Sequence, residues 1–271
     1  MDSKELPVAI VTGAAAGIGE ATARAFAQAG YRVFGTSRRE TPAPAPGIAM
    51  LVCDVTDDDS VKRAVETVVA RAGRIDVLVN NAGRGLIGGA EESSVGQAQE
   101  LFDVNVFGIL RITNEVLPIM RRQGRGRIIN ISSVLGFLPG PYTALYAATK
   151  HAVEGYSESL DHELRTFGIR VSLVEPAFTR TAIEENAEQP DRISSVYDEG
   201  RSALSSTWRS AIAAGDPVEV VAAKVLEAVM ERSPRIRYTP GKTAGRLRFL
   251  RRFVPEKSFE KSLRKQLNLA G

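Results

Sequence analysis

The sequence predicts a doubly wound, parallel α/β sheet of about seven strands, covered by helices on both faces and built as a single domain. Short apolar, β-branched runs alternate with amphipathic stretches through the first 180 residues. Strands that are apolar along their whole length are typical of a parallel sheet buried on both faces, and right-handed crossovers make such a sheet doubly wound. A chain of 271 residues could form one domain or two, and the absence of internal repeats and domain linkers predicts one.

The elements follow one another in regular alternation along the chain. The predicted strands are Val8–Thr12, Arg32–Thr36, Ile48–Cys53, Ile75–Val79, Arg127–Ile131, Ile169–Val174 and Arg235–Thr239. The predicted helices are Ile18–Ala29, Asp58–Ala72, Gln97–Arg122, Ala144–Phe167 and Pro217–Glu231. We expect Asp216 to cap the last helix, with Pro217 in its first turn.

A long polar connection separates the sixth strand from the last predicted helix. Residues 177–210 lack helical periodicity and are interrupted by Pro190. The connection leaves the carboxyl end of a strand, the edge at which open α/β sheets bind ligands. Long connections of this kind are usually functional, so we expect a lid over a substrate.

Composition excludes several classes of protein. The hydrophobic and charged fractions, 44% and 25%, are those of an ordinary globular chain. No secretory signal and no membrane-length apolar run is present, and one cysteine, Cys53, cannot form an internal disulfide. His151 and His162 lack partners at metal-ligand spacing. We expect a cytoplasmic protein with no integral membrane segment and no metal.

The net charge of +3 conceals a basic carboxyl-terminal region. Residues 231–271 contain twelve Lys/Arg and three Glu, a net +9, which leaves −6 for residues 1–230. Such a region can bind nucleic acid or anionic lipid. Two apolar stripes, one of Leu247, Leu250 and Val254 and one of Phe259, Leu263 and Leu267, favour instead a solvated helical extension over 241–271. No nucleic-acid motif accompanies the charge, and we expect no nucleic-acid partner.

A glycine-rich turn follows the first predicted strand and opens the first helix. Its sequence is Gly13-Ala14-Ala15-Ala16-Gly17-Ile18-Gly19. Gly13 permits a sharp turn, Gly17 lets backbone approach a pyrophosphate, and Gly19 allows the helix to pack closely on the strand. The N-terminus of the helix offers N–H groups to phosphates. This context favours dinucleotide binding over a plain glycine-rich loop.

Tyr146 and Lys150 lie four residues apart in a predicted helix and therefore share one face. An ammonium beside a phenol favours the phenolate, and so lowers a pKa that is ordinarily about 10. Such a tyrosine can exchange a proton near neutral pH. The YxxxK spacing by itself also fits two side chains on a solvated helix face.

Together these motifs resemble the short-chain dehydrogenase/reductase family, whose fold is Rossmann-like. The resemblance covers roughly residues 7–240. Further family marks follow predicted strands or lie in the third helix: Asp54-Val55, Asn80-Asn81-Ala82-Gly83, Asn105, Asn130-Ile131-Ser132-Ser133 and Pro176-Ala177-Phe178-Thr179-Arg180-Thr181.

The resemblance implies a catalytic set. Tyr146 would donate and accept the proton, while Lys150 would lower its pKa and bind the nicotinamide ribose. Ser133, favoured over Ser132 by its thirteen-residue distance from the tyrosine, would bond the substrate oxygen. Asn105 would anchor a water relay behind Lys150, although a lone helical Asn commonly bonds backbone and Ser133 could cap a loop. Relatives usually form homodimers or homotetramers through their long helices.

The cofactor implied is NADP(H) rather than NAD(H). NAD-users of this fold usually carry an acid after the second strand. Ser37 and Arg38 stand there, and a hydroxyl with a guanidinium suits a 2′-phosphate. The glycine turn supplies no basic residue, and Arg38 could belong to a solvated loop. The implied cofactor-binding residues are Gly13, Ala15, Gly17, Ile18, Gly19, Ser37, Arg38, Asp54, Val55, Asn81, Ala82, Gly83, Tyr146, Lys150, Pro176, Thr179 and Thr181.

The predicted surroundings of the site are largely apolar. The residues concerned are Leu86, Ile87, Leu135, Phe137, Leu138 and Phe178. Core packing explains several of them equally well. The predicted function is an NADP(H)-dependent oxidoreductase that interconverts a secondary alcohol and a ketone or aldehyde, on a bulky steroid-, retinoid- or lipid-like substrate. The alternative is a catalytically inactive nucleotide-binding regulatory protein of the same fold.

Overall fold

The predicted parallel sheet is confirmed by a computed structural model that describes residues 6–181 and 187–266. In these residues all seven strands run parallel, in the order β3-β2-β1-β4-β5-β6-β7. The strands are β1 Val8–Val11, β2 Arg32–Ser37, β3 Ile48–Val52, β4 Val77–Asn80, β5 Gly126–Ile131, β6 Ile169–Val174 and β7 Arg237–Tyr238. β7 is shorter than predicted, since Pro234 and Pro240 flank it and a proline has no N–H for the ladder.

Helices cover both faces of the sheet. They are α1 Gly17–Gln28, α2 Asp58–Ala72, α3 Val95–Phe102, α4 Gly108–Gln123, α5 Ala144–Leu164, α6 Asp198–Ala213, α7 Val218–Met230, α8 Gly241–Phe253 and α9 Glu256–Gln266. None of the helices in the described ranges is long and apolar enough to cross a bilayer.

Two hydrophobic layers, one on each face, explain why the strands are apolar throughout. Alternate residues of β1 show the division: Val8 and Ile10 belong to the layer with α2, α4 and α5. Ala9 and Val11 belong to the layer with α1 and α7. Because side chains alternate across a strand, a sheet buried on both faces needs apolar residues at every position.

The long helix predicted over Gln97–Arg122 is interrupted in the structure. A π-helical turn, Asp103–Phe107, separates α3 from α4. The wide turn carries Asn105, which is buried and bonded to backbone outside its own helix. Turns of this type occur frequently at functional sites, and hydrophobic periodicity does not reveal them.

Two further predictions are corrected by the structure. Asp216 does not cap α7, whose N-cap position is Pro217, because the Asp216 backbone pairs with Phe178 and Arg180 beyond β6. The connection 177–210 is not without regular structure, since α6 occupies its second half. Leu204, Trp208 and Ile212 lie one turn apart on one face of α6, a periodicity that the sequence prediction missed, and of these only Leu204 is fully buried. Residues 182–186 lie outside the described residues.

The carboxyl-terminal region folds against the sheet edge as helices α8 and α9. Ala244 of α8 and Phe259 of α9 are buried with Val134 and Leu138, which follow β5. Leu247, Leu250, Val254 and Leu263 pack against this cluster, while Leu267 lies outside the described residues. The basic region is thus docked beside the carboxyl end of β5.

Asp161 joins the end of α5 to the start of β6. Its carboxylate is buried and accepts hydrogen bonds from Arg165, from Arg170 and from the Val171 N–H. Burial alone would raise the Asp161 pKa, but these hydrogen bonds and charges lower it overall. The ion pair therefore fixes the register of α5, the helix that carries Tyr146 and Lys150.

Asp161→Asn is expected to lower the free energy of unfolding by about 3 kcal/mol, because two cations would keep no anionic partner. Denaturant titration at pH 7 measures the loss. The exposed Glu66→Gln, on α2, is the matched control and should change stability by less than about 0.5 kcal/mol.

The difference between wild type and Asp161→Asn should also shrink in acid. Because folding lowers the Asp161 pKa, its stabilisation is complete above the unfolded-state value of about 3.9 and is lost as the pH falls below it. Equal stability of Asp161→Asn and Glu66→Gln at pH 7 would contradict the anchoring role.

Candidate active site

The glycine turn after β1 adopts conformations that only glycine takes readily. Gly13 and Gly17 have φ values of +65° and +58°. A Cβ at Gly19 would collide with the Gly13 carbonyl and with the side chain of Asn81. The turn, α1 and the chain after β4 therefore fit together closely at this point.

Thr12 joins the glycine turn to the segment that follows β4. Its hydroxyl oxygen accepts hydrogen bonds from the N–H groups of Asn81 and Ala82, both at 2.9 Å. The Asn81 side chain donates back to the Thr12 carbonyl, also at 2.9 Å. Sequence reasoning did not select Thr12, although its place directly before Gly13 was the available signal. Gly83 lies beside this junction, near the Asn105 side-chain oxygen.

The N-terminus of α1 suits a phosphate group. Its N-cap residue, Ala16, makes no side-chain hydrogen bond to the helix, so the first-turn N–H groups have no side-chain cap. Ala15 is exposed and Ile18 half-buried beside this turn. A Cβ at Gly17 would lie 3.7 Å from the Thr181 methyl group, which places the segment after β6 next to the turn. The residues present fit a dinucleotide.

The ends of β2 and β3 carry the residues predicted to bind the adenosine half. Ser37 is half-buried, and its hydroxyl lies 3.3 Å from that of Thr41. Burial would raise the Asp54 pKa, but hydrogen bonds from Thr56, with the charges of Arg38 and Arg84, lower it. The Arg38 guanidinium therefore lies close enough to influence the Asp54 carboxylate.

Val55, Pro176 and Thr179 complete the predicted cofactor set and are all buried. Val55 packs against Gly108, where a Cβ would meet its side chain. The Pro176 carbonyl accepts from the Val134 N–H at 2.9 Å. The Thr179 hydroxyl donates to the Ala177 carbonyl at 3.1 Å.

Ser133, Tyr146 and Lys150 come together at the carboxyl end of β5. The Lys150 ammonium donates to the Ile131 carbonyl at 2.9 Å and lies 5.6 Å from the centre of the Tyr146 ring. The Ser133 hydroxyl bonds the Tyr146 phenol and also accepts from the Leu135 N–H at 3.1 Å. Ser133 therefore caps the turn after β5 and contacts the tyrosine. The buried Ser132 hydroxyl has no such contact.

Burial controls the protonation of this group. The packing around Tyr146 raises its pKa to about 12, and the hydrogen bond from Ser133 offsets only part of the rise. Lys150 was expected to lower the Tyr146 pKa, but burial determines its direction and raises it. Burial also lowers the pKa of Lys150 to about 8, against the opposing charge of Glu154. At neutral pH the pair is a protonated phenol beside an ammonium.

Asn105 holds the backbone that follows β4. Its side-chain oxygen accepts from the Arg84 N–H at 2.8 Å, and its amide donates to the Arg84 carbonyl at 2.9 Å. The amide also lies 3.2 Å from the hydroxyl of Thr149, the residue before Lys150. Its side chain thus bonds backbone, as a lone helical Asn commonly does, while linking the two sides of the site.

A buried ionic cluster lies behind Lys150. Glu154, one turn along α5, pairs with Arg237 at 3.0 Å. Glu175, at the end of β6, pairs with Arg237 at 3.4 Å and with Arg248 of α8 at 2.7 Å. Arg248, in the carboxyl-terminal extension, thereby pairs with a buried carboxylate close to α5.

Comparison with known proteins decides the family. A family model described as short chain dehydrogenase matches residues 7–192. The chain belongs to the short-chain dehydrogenase/reductase family. It is 43% identical over 180 residues to the 3-ketodihydrosphingosine reductase of Bacteroides thetaiotaomicron, a match that covers 66% of each chain. A short-chain dehydrogenase of Streptomyces avermitilis superposes with a TM-score of 0.81 at 32% identity, over 99% of this chain and 96% of that one.

Related structures have been solved with either nicotinamide cofactor. A short-chain dehydrogenase/reductase of Burkholderia phymatum, in complex with NAD, superposes with a TM-score of 0.79 at 28% identity, over 97% of both chains. ElxO with NADP bound superposes with a TM-score of 0.72 at 27% identity, over 87% of this chain and 97% of that one. The chain is thus an NAD(P)-dependent oxidoreductase acting on CH–OH groups. Within the described ranges no cluster of His, Cys, Asp and Glu could hold a metal ion.

Only some of the apolar side chains predicted to surround the substrate are accessible to a ligand. Leu86 and Leu138 are buried, and Phe137 packs against the carboxyl-terminal helices. Ile87, Leu135 and Phe178 remain half-buried. The Phe178 ring meets the Trp208 ring of α6 edge-on, at 5.8 Å between centres.

Tyr142 is a second feature that sequence did not reveal. It has a φ of +59°, the one non-glycine residue with positive φ in the described part of the chain. Its carbonyl accepts from the Gly88 N–H at 2.8 Å, and its ring meets that of Tyr197. A strained backbone of this kind persists where surrounding contacts hold it, often at a ligand site.

Glu92 anchors the segment that contains α6. Its buried carboxylate accepts hydrogen bonds from the N–H groups of Gly89 and Ser194, at 2.7 Å each, and pairs with Arg201 of α6. The hydrogen bond from Arg201 is the largest cause that lowers the Glu92 pKa to about 2. The segment is tied further by the Arg84–Glu188 ion pair at 2.5 Å.

Glu92→Ala is expected to loosen this segment, because Arg201 and the Ser194 N–H lose their shared acceptor. Limited proteolysis should cut between residues 187 and 213 at least tenfold faster, with the sheet left intact. Glu199→Ala, an exposed change on α6, is the matched control and should leave the rate unaltered.

The anchor should hold throughout the physiological pH range. The Glu92 pKa is lowered, so its contribution is complete above the unfolded-state value of about 4.3 and disappears only as the pH falls towards 2. Unchanged cleavage of Glu92→Ala would show that Glu92 does not hold the segment.

Proposed function

We propose that the protein is an NADP(H)-dependent oxidoreductase that interconverts a secondary alcohol and a ketone, on a bulky, apolar, lipid-like substrate. The observation that carries the proposal is the meeting of Ser133, Tyr146 and Lys150 at the carboxyl edge of the sheet, the edge that also carries the glycine turn. We assign catalysis to these three and a supporting role to Asn105.

Each residue has a distinct task. When bound, the nicotinamide supplies or accepts the hydride. In the reducing direction the carbonyl oxygen gains negative charge, and the hydroxyls of Ser133 and Tyr146 stabilise that charge as donors. Tyr146 then transfers its proton to the oxygen. The phenol is protonated at neutral pH because its pKa is about 12, so the proton is present, although burial also makes the phenol a weaker acid.

Lys150 makes the phenol a better acid once the oxygen begins to accept the proton. An ammonium near a developing phenolate lowers the free energy of that anion. Burial opposes the ammonium, and the change in its pKa from 10.5 to about 8 corresponds to about 3 kcal/mol. This net cost already includes the favourable charge of Glu154. The ammonium also donates a hydrogen bond to the Ile131 carbonyl.

A preference for NADP(H) rests on the end of β2. The Arg38 side chain is exposed and can therefore pair with a 2′-phosphate. Its charge also lowers the pKa of Asp54, which places it near the predicted adenosine site. No acid occupies the Ser37 position to bind the two ribose hydroxyls, as NAD-users of this fold require. We assign the remaining cofactor contacts to the predicted residues of the glycine turn and of the segments that follow β3, β4 and β6.

A lipid-like substrate is supported by two observations. Ile87, Leu135 and Phe178 are half-buried apolar side chains on the segments around the site. The relative that shares 43% identity is named for reduction of a 3-ketodihydrosphingosine, a lipid carbonyl. We also propose that residues 177–210 form the substrate lid, held on one side by Glu92, and that the protein is a homo-oligomer.

Tyr146→Phe is expected to lower kcat for reduction of a long-chain ketone at least 10²-fold, because the proton donor is removed while the ring is kept. NADPH oxidation, followed by absorbance, measures the loss. Tyr156→Phe on the same helix is the matched control, since that hydroxyl bonds Thr113 instead. If the wild-type protein binds NADPH but reduces none of the ketones tested, the inactive regulatory alternative is favoured.

The rate of reduction should fall as the pH rises through about 8. The ammonium of Lys150 is present below its pKa of about 8 and is lost above it, so kcat/KM should decline by about tenfold per pH unit there. A kcat/KM that stays constant from pH 6 to pH 10 would contradict the assigned role of Lys150.

Arg38→Ala is expected to raise the KM for NADPH about 10- to 100-fold, because a charge-assisted hydrogen bond to the 2′-phosphate is lost. The KM for NADH should stay nearly unchanged. Arg39→Ala, the neighbouring exposed arginine, is the matched control and should affect neither cofactor. Equal losses for NADPH and NADH would exclude a 2′-phosphate contact by Arg38.

A further inference from the structure

We propose that the outer face of α8 binds the surface of a bilayer that contains anionic lipids. Such binding would be independent of the proposed function. Helix α8 has one side packed on the protein and one side in solvent. The inner side, with Ala244, Leu247 and Leu250, packs against the residues that follow β5. The helix is therefore fixed, and its opposite side faces solvent.

The outer face of α8 combines aromatic and basic side chains in one stripe. Lys242, Arg246, Phe249 and Phe253 follow one another at spacings of four, three and four residues, which places them on one side of a helix. Phe249 and Phe253 are 62% and 63% exposed, and their rings lie 4.8 Å apart. Two adjacent exposed rings form a continuous apolar patch, which usually marks an interaction site.

The charge around this patch has one sign. Helix α8 contains five Lys/Arg residues and neither Asp nor Glu. Arg248 pairs internally with Glu175, and the Arg251 guanidinium lies 5.5 Å from the ring centre of buried Phe259, on the inner side of the helix. Lys242, Arg246 and Arg252 are exposed. The Arg252 guanidinium lies 5.7 Å from the centre of the Phe253 ring. Basic groups around projecting aromatic side chains are typical of helices that lie in a membrane interface.

Other occupants fit this face less well. A second copy, related by a two-fold axis, would bring the same cations opposite each other with no carboxylate on α8 to pair them. A nucleic acid would match the charge through its phosphates. An anionic bilayer matches the charge as well and also receives two phenyl rings, which have no hydrogen-bonding group to satisfy. The bilayer surface therefore accounts for both features.

The orientation of α8 is set by the protein rather than by the bilayer. Arg248 pairs with buried Glu175 at 2.7 Å, and its guanidinium lies 5.2 Å from the centre of the Phe137 ring. These contacts face inward while Phe249, the next residue, faces outward. Docking would accordingly require no unfolding of α8, and the edge that follows β5 would lie near the lipid surface.

Co-sedimentation of the full-length protein with vesicles tests this proposal. Vesicles of phosphatidylcholine with one third phosphatidylglycerol should bind the protein at least tenfold more tightly than phosphatidylcholine alone, and 0.5 M salt should weaken binding because it screens the charges. The double variant Phe249→Ser/Phe253→Ser should bind anionic vesicles at least tenfold less well.

Phe167→Ser is the matched control variant. Phe167 is 46% exposed and the Arg121 guanidinium lies 6.0 Å from its ring centre, but Phe167 stands between α5 and β6 rather than on α8. Its loss should leave vesicle binding unchanged. If the double serine variant loses stability, Lys242→Glu/Arg246→Glu, which keeps both rings, should lose anionic-vesicle binding instead. NADPH turnover should stay at the wild-type level in each soluble variant.

Several results would overturn the proposal. The first is that wild type sediments equally with neutral and anionic vesicles, or with neither. The second is that the Phe249→Ser/Phe253→Ser variant binds as wild type does. The third is that, by light scattering, the double variant alone becomes a smaller oligomer, which would make this face a contact between copies. Binding of an oligonucleotide that depends on Phe249 and Phe253, with no vesicle binding, would assign the face to nucleic acid.

Discussion

The hydrogen bond from the Lys150 ammonium to the Ile131 carbonyl is the interaction on which the site depends. It joins the first turns of α5 to the last residue of β5. Tyr146 lies one helical turn before Lys150, and Ser133 lies two residues beyond Ile131, so the bond brings the phenol to the serine. A buried ammonium is unfavourable, and the carbonyl and Glu154 compensate for it only in part. The protein therefore keeps a destabilising charge at the position where the proposed proton transfer needs one.

The parallel sheet explains why the other functional groups converge on the same edge. Carboxyl ends of parallel strands point the same way, so the turn after β1, Asp54 after β3 and the asparagine segment after β4 become neighbours. Thr12 connects two of these segments directly, since its hydroxyl bonds two residues that lie about seventy positions further along the chain. On the far side, Glu175 and Arg248 connect the carboxyl-terminal helices to the same edge. The basic extension is thus a structural neighbour of the active site.

Sequence was sufficient for the sheet, because the strands are recognised by apolar, β-branched runs such as that of β1. Strand-end motifs also predicted which side chains lie close together, and Gly13 and Gly17 occur where positive φ is needed. Helix α6 was not predicted, although Leu204, Trp208 and Ile212 share one face, because most of its other residues are polar and only Leu204 is fully buried. Polar contacts to Glu92 also hold the helix. The π-helical turn at Asn105 has no sequence signature of its own. The Tyr146 pKa was also mispredicted, since its direction depends on burial and not on spacing.

The central claim, that the Tyr146 site couples hydride transfer to protonation of a lipid-like ketone, is tested most directly by isotope transfer. The protein is incubated with NADPH deuterated at the transferable C4 position and a long-chain 3-ketone, and the alcohol is examined by mass spectrometry. One deuterium on the carbinol carbon is the result that the account predicts. Alcohol without deuterium, or tight NADPH binding with no alcohol formed from any long-chain ketone, would contradict it.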